Sequence, residues 1–104
     1  MVNVFDVILQ DTASEITECL MSKDGIRIER IVSNGQSSAD DFWYDQEEHE
    51  WVLVLSGYGV IEFEGGSKTR LNAGDYVNIA AHKKHRVAKT APDGETIWLA
   101  IFYR

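Results

Sequence analysis

Residues 50–66, EWVLVLSGYGVIEFEGG, decide the fold of this chain. The stretch from Glu50 to Leu55 is apolar on both faces, which is typical of a central strand that is covered on both sides. A turn around Gly57 follows, and residues 60–64 then alternate between apolar and polar. The pair Gly65-Gly66 is the signal of a tight hairpin with positive φ angles. The stretch therefore predicts two neighbouring strands and a third that returns after the glycine pair.

The same pattern of short strands and turns extends to both sides of this stretch. Residues 26–32 are β-branched and alternating, and further strands are predicted over residues 67–71, 76–79, 85–90 and 95–103. Seven or eight short strands with turn signals every 8–12 residues or so are typical of a β-sandwich or barrel. We therefore predict an all-β fold.

One short helix is predicted ahead of the strands. Residues 12–15 have the Ser/Thr-x-x-Glu form of a capping box, and Ile16, Cys19 and Leu20 follow at helical spacing. Lys23 and Gly25 are typical of a helix end. We expect residues 1–25 to form an N-terminal segment whose helix packs on a barrel of residues 26–104, within a single domain. A single leading helix excludes a βαβ parallel sheet.

Composition excludes several classes of protein. The 104 residues contain 10 Lys and Arg against 17 Asp and Glu, so the formal net charge is −7 and a nucleic-acid partner is not expected. A single cysteine cannot form an internal disulfide, which fits a reducing compartment. No apolar run approaches the roughly 20 residues that a membrane span needs, and residues 1–10 lack the features of a signal peptide. We expect a cytoplasmic protein with no membrane partner.

Two stretches resemble the paired motifs of the cupin superfamily, whose members are small double-stranded β-helix (jelly-roll) barrels. In the first family motif a His-x-His pair is followed by Glu after three or four residues and by Gly after six more. Glu50 and Gly57 match this motif, and a three-residue gap puts Tyr44 and Gln46 at the two histidine positions. The first motif therefore keeps its carboxylate and loses both imidazoles.

The second family motif begins with Gly and ends with His. Gly74 and His85 match it, whereas Ala80 stands at the family's proline and His82 at its glycine. The resemblance covers residues 26–102 and is closest to the small, single-domain cupins with a conserved barrel, most of which have no assigned reaction.

The resemblance implies a metal site in the mouth of the barrel. Gln46, Glu50 and His85 would supply an amide oxygen, a carboxylate oxygen and an imidazole nitrogen. This mixed set suits a divalent transition metal such as iron, manganese, nickel or zinc. Three protein ligands leave positions for water or substrate. A neutral amide is a weak donor, so the metal is expected to bind loosely.

The group that completes the site is left open among Tyr44, Asp45 and His49. In a regular strand Gln46 and Glu50 share a face and His49 points away, whereas a bulge would turn His49 inward. Tyr44 and His49 are therefore the candidate catalytic residues, as proton donors or extra ligands. Gln46 and Glu50 could equally form hydrogen bonds inside a barrel without metal.

The resemblance implies a small-molecule substrate or ligand, and among enzymes it implies a dioxygenase, an isomerase or a lyase. In that scheme Arg27 or Arg86 would orient an anionic substrate, and His82 with the following lysine pair would lie at the mouth. The alternative is a metal-free sensor or small-ligand-binding cupin without catalysis, so whether the chain is an enzyme stays open.

A homodimer is expected because a domain of this size buries too little of its own apolar surface. The aromatic residues Trp43, Trp98 and Phe102 are expected to form the dimer seam, the interface between the two copies.

Overall fold

The computed structural model describes residues 3–6 and 14–104 of the chain, and the regular elements among them are eight β-strands. Their bounds are β1 Ile16–Lys23, β2 Ile26–Ser33, β3 His49–Ser56, β4 Tyr58–Phe63, β5 Lys68–Asn72, β6 Tyr76–Ile79, β7 His85–Thr90 and β8 Thr96–Tyr103. The strands that the sequence predicts from residue 26 onward are all found, with ends that differ by one or two residues.

The strands form two antiparallel sheets that pack face to face. The larger sheet has the order β1-β2-β8-β3-β6, and the smaller one has the order β5-β4-β7. This confirms the all-β jelly-roll barrel. None of the described segments forms a helix that could cross a membrane.

The core lies between the two sheets. Alternate positions of each strand point inward, because successive side chains of a strand leave opposite faces. Trp98 and Phe102 are each 4% exposed within the chain. They therefore do not form the dimer seam predicted for them. The buried cluster consists of Val52, Val54, Ile61, Phe63, Leu71, Ile79, Trp98, Ala100 and Phe102.

The helix predicted near the N-terminus is wrong over residues 16–23, which form β1. This strand pairs antiparallel with β2, and Lys23 lies opposite Ile26. Asp24 and Gly25 between them have φ angles of 46° and 84°. Positive φ at both central residues characterises a type I′ turn, and Asp-Gly is among its preferred sequences. The turn and the pairing with β2 override the helical spacing; residues 12 and 13 of the predicted cap lie outside the described residues.

Two glycines allow the chain to pass close to other elements. Gly57 has a φ of 78°, and a Cβ there would lie 2.7 Å from the carbonyl oxygen of Glu95. A Cβ on Gly59 would lie 2.1 Å from Cη2 of Trp98. The indole of β8 therefore packs directly on the backbone of β4, and this contact joins the two sheets.

Replacing Gly59 with alanine is expected to destabilise the fold because the new methyl group would displace the buried indole of Trp98. A loss of about 1–3 kcal/mol in the free energy of unfolding is typical of such overpacking. Gly94→Ala is the matched control, since a Cβ at Gly94 meets nothing within 4 Å and its φ is ordinary. Urea unfolding measures both variants. Equal midpoints would show that the contact between Trp98 and Gly59 does not limit stability.

Candidate functional site

A cavity of about 240 Å³ opens between the two sheets. The floor of the cavity is apolar, and most of the site residues predicted from the sequence lie at its rim. The apolar lining consists of Ile31, Val52, Ile61, Val87, Trp98 and Phe102, and the polar lining of Glu15, Thr17, Arg27, Glu29, Tyr44, Gln46, Glu50 and His85.

Strand register places the polar groups of the larger sheet. Phe102 of β8 lies opposite Arg27 of β2 on one side and opposite Glu50 of β3 on the other. Residues opposite each other in adjacent strands share a face. Arg27 and Glu50 therefore flank the same buried ring at the mouth of the cavity.

The smaller sheet contributes His85, and the segment before β3 contributes Tyr44 and Gln46. The backbones of Tyr44 and His85 exchange two hydrogen bonds, with N···O distances of 2.7 and 3.2 Å. Their rings stack with centroids 5.4 Å apart. Gln46 is anchored separately, because its backbone carbonyl accepts a hydrogen bond from the backbone N–H of His82 at 2.8 Å. These contacts fasten the segment that carries Tyr44 and Gln46 to the start of β7.

His85 is held in a defined orientation. Its Nδ1 lies 2.9 Å from the carbonyl oxygen of Lys83, which can only accept, so Nδ1 carries a proton. Its Nε2 lies 3.3 Å from Oε1 of Glu50, and the two side chains are only 7% and 12% exposed. The nitrogen available for chemistry is therefore Nε2, and it faces a carboxylate.

The surroundings of His85 and Tyr44 favour protonation of both groups. Burial lowers the pKa of His85, but the hydrogen bond with Glu50, the hydrogen bond to Lys83 and the charge of Glu50 outweigh it, so the pKa is raised above 6.5. Burial raises the pKa of Tyr44 above 10.0, and the charges of Glu15 and Glu50 add to this effect. The phenol thus holds its proton at neutral pH.

The structure brings four of the predicted site residues to the cavity, namely Tyr44, Gln46, Glu50 and His85. His49 is not among the lining residues. Its Nδ1 accepts a hydrogen bond from the backbone N–H of Ala81 at 3.0 Å, and its ring packs against Tyr103. His49 begins β3 one residue before Glu50, so the regular alternation of the strand turns it to the opposite face.

Asp45 and His82 form an exposed pair with 2.8 Å between carboxylate and imidazole, and neither residue lines the cavity. The two predicted substrate-orienting arginines differ in position. Arg27 lines the cavity, whereas Arg86 binds Glu62 at 2.8 Å and donates to the carbonyl of Ser38 at 2.9 Å. Arg86 thus fastens a loop to the smaller sheet and does not line the cavity.

Sequence reasoning missed three polar residues of the cavity, Glu15, Thr17 and Glu29. The first two fall in or beside the segment that was predicted to be helical. Glu29 could have been found, because it lies two residues from both Arg27 and Ile31 in a strand and so shares their face. Its carboxylate accepts a hydrogen bond from Nε of Arg27 at 2.9 Å.

The donor set can be tested against a divalent metal. Within residues 3–6 and 14–104, there is no group of three or more His, Cys, Asp or Glu side chains that could hold a metal ion. Two strong donors, Nε2 of His85 and Oε1 of Glu50, do lie 3.3 Å apart, one from each sheet. Metal-binding histidines usually donate their second N–H to a carbonyl or carboxylate, as His85 does to Lys83. The Gln46 amide lines the same cavity and would be the third donor, a neutral one, so the set would suit only a weakly held ion.

The chain matches the family model of the cupin domain over residues 30–102 and therefore belongs to the cupin family. A solved structure from Ralstonia eutropha JMP134, a candidate mannose-6-phosphate isomerase, is 40% identical to it with a TM-score of 0.93, covering 99% of this chain and 96% of that one.

Two further solved structures share the fold at lower identity. A cupin superfamily protein from Desulfitobacterium hafniense DCB-2 is 23% identical with a TM-score of 0.76, covering 92% of this chain and 83% of that one. The EutQ protein of Clostridium difficile is 17% identical with a TM-score of 0.69, covering 90% and 74%. No curated protein matches the sequence.

The raised pKa of His85 predicts a pH dependence of stability in chelator-treated protein. The contribution of a group whose pKa is raised on folding is fully present below its unfolded value, here 6.5, and is lost as the pH rises through the folded value. Removing the carboxylate in Glu50→Gln should lower the pKa of His85 and flatten this loss. NMR titration of the His85 ring measures the pKa directly.

The control for this titration is Glu64→Gln, which changes an exposed carboxylate whose ion-pair partner is Lys84. The His85 titration should be unchanged in this variant. If Glu50→Gln also left the titration unchanged, Glu50 would not be the partner of His85.

Proposed function

We propose that this cupin binds a divalent first-row transition metal through Gln46, Glu50 and His85 and acts on a small molecule in the cavity. The observation that carries the proposal is the orientation of His85. Its Nδ1–H is engaged by the Lys83 carbonyl, so Nε2 is the nitrogen that a metal would bind, once the metal displaces the proton that Nε2 shares with Glu50 at the mouth of a preformed cavity. When bound, the ion would act as a Lewis acid that polarises an oxygen of the ligand.

The chain's own groups have separable roles in this scheme. Tyr44 holds its proton at neutral pH and stacks on His85, so its hydroxyl can donate a hydrogen bond to a molecule in the cavity. Trp98 and Phe102 give the floor of the cavity an apolar surface. The Lys83 carbonyl fixes the His85 tautomer.

Among a dioxygenase, an isomerase and a lyase, we favour an isomerase. The support is the candidate mannose-6-phosphate isomerase that is 40% identical over nearly the whole chain. An isomerase also needs no external oxidant, and the protonated phenol of Tyr44 can hold an oxygen of the substrate by a hydrogen bond.

A metal-free ligand-binding protein is the second candidate. It is favoured by the contact between His85 and Glu50, which neutralise each other without an ion, and by the neutral amide at the third position. Metal content separates the two candidates.

Protein purified without a tag or chelator, and reconstituted because the ion is weakly held, is expected to contain close to one equivalent of iron, manganese, nickel or zinc. His85→Ala should lose this metal because it removes the only imidazole among the three ligands. Elemental analysis measures the content, and circular dichroism checks that the variant is folded. His82→Ala is the matched control, since this exposed histidine contacts Asp45, does not line the cavity and is not a proposed ligand.

Metal that persists in His85→Ala would contradict the site. Absence of metal in the parent protein, even after reconstitution with each of the four ions, would favour the metal-free candidate. Tyr44→Phe tests the open question of the fourth ligand: full metal content in this variant excludes the phenol oxygen as a ligand.

We also propose a homodimer, because a domain of this size gains stability by burying apolar surface that it cannot cover alone. Trp43, of intermediate exposure, remains a candidate for its seam. Light scattering coupled to size exclusion should give twice the chain mass of 11.8 kDa. A single species at the chain mass would overturn the dimer.

A further inference from the structure

The charges around the cavity are unequal. Three carboxylates line it, those of Glu15, Glu29 and Glu50, and a fourth, that of Glu48, lies against Arg27. The cationic groups facing them are the Arg27 guanidinium and the His85 ring. Negative charge is therefore in excess at the place where a ligand would enter.

The arginine of the cavity is already paired. Its Nε lies 2.9 Å from Glu29 and its Nη1 lies 3.0 Å from Glu48, while the guanidinium covers the ring of Phe102 at 4.3 Å. A phosphate group would meet only the donors of the guanidinium that these two ion pairs leave over, beside two carboxylates that repel it. The positive charge of Arg27 thus offsets the charge of neighbouring carboxylates, and the side chain is poorly placed to bind an anion.

The other basic side chains of this region are engaged outside the cavity. Arg86 binds Glu62, Lys84 lies 3.7 Å from Glu64, and the ammonium of Lys83 lies over the ring of Phe63. None of the three is among the lining residues. Within the described part of the chain, the cavity therefore offers no cation that lacks a carboxylate partner.

One carboxylate is fixed where two cavities meet. A second cavity of about 290 Å³ shares Glu15, Tyr44 and Val87 with the first and is otherwise lined by the polar residues Ser14, Gln36, Ser37 and Ser38. The hydroxyl of the fully buried Ser33 donates a hydrogen bond to Oε2 of Glu15 at 2.7 Å. A positively charged group entering from either side would reach this carboxylate.

We infer that the cavity selects a small molecule carrying a positive charge, such as a protonated amine, and rejects phosphate esters. The inference rests on the proposed binding of a small molecule and adds the charge of that molecule. It holds with or without the metal: without it, Arg27 and the His85 ring would offset two of the four carboxylates, and with it, the divalent ion and Arg27 would offset three. An anionic substrate, expected from the sequence and suggested by the 40% identical relative, is disfavoured by this balance.

Three sugars with one hexose skeleton test the charge: glucosamine, glucose and glucose 6-phosphate. A cavity of about 240 Å³ is smaller than the roughly 300–1,000 Å³ of drug-sized sites and suits a molecule of this size. Calorimetric titration at pH 6, where an amine is protonated, should give glucosamine about tenfold higher affinity than glucose, equal to about 1.4 kcal/mol. Glucose 6-phosphate should not bind.

Glu15→Gln should remove most of the preference for glucosamine over glucose, because it neutralises the carboxylate at the junction without changing its shape. The control Glu64→Gln alters an exposed carboxylate outside both cavities and should keep the preference.

Three outcomes would overturn the inference: phosphate binding as tight as amine binding, equal affinity for all three sugars, or no binding of any of them. Equal affinity would leave the proposed small-molecule binding intact and refute only the charge selection. The metal analysis of the His85→Ala variant decides the metal proposal independently of these titrations.

Discussion

The contact between Trp98 and Gly59 is the constraint on which the rest of the structure depends. β8 is the only described strand that pairs with both β2 and β3, so it is the centre of the larger sheet. Its indole reaches the backbone of β4 in the smaller sheet because Gly59 has no side chain. The same indole forms part of the cavity floor. The separation of the sheets, and hence the space for a ligand, is therefore set by one aromatic residue and one glycine.

The site above this floor is assembled by contacts between loops and strand ends. Arg86 donates to the carbonyls of Ser38 and Ala39 and pairs with Glu62, which fixes the loop leading to Tyr44. Tyr44 in turn shares two backbone hydrogen bonds with His85. The orientation of the imidazole thus depends on a buried guanidinium that never enters the cavity, and loss of that guanidinium would loosen the site without removing any of its chemical groups.

The sequence pattern predicts those features of the fold that depend only on residues close together in the chain. The alternation in β2 and the glycine turns follow from side-chain geometry, and so does the outward position of His49 next to the inward Glu50. The first strand was missed because two local signals compete there. Cap-like residues and apolar spacing favour a helix, but Asp24-Gly25 favours a hairpin, and pairing with β2 settles the competition. Such tertiary pairing lies beyond the reach of a short sequence window.

The partners of charged residues could not be predicted in the same way. Arg27 has a side chain suited to binding an anion. Only the fold shows that it is already paired with Glu29 and with Glu48, which is 21 residues away. Likeness to a candidate sugar-phosphate isomerase establishes the scaffold, and a scaffold alone does not fix the substrate. Selectivity depends on which charges remain uncompensated inside the cavity. Here carboxylates outnumber the cations that face them, so a ligand that brings its own positive charge would avoid the cost of burying like charges together.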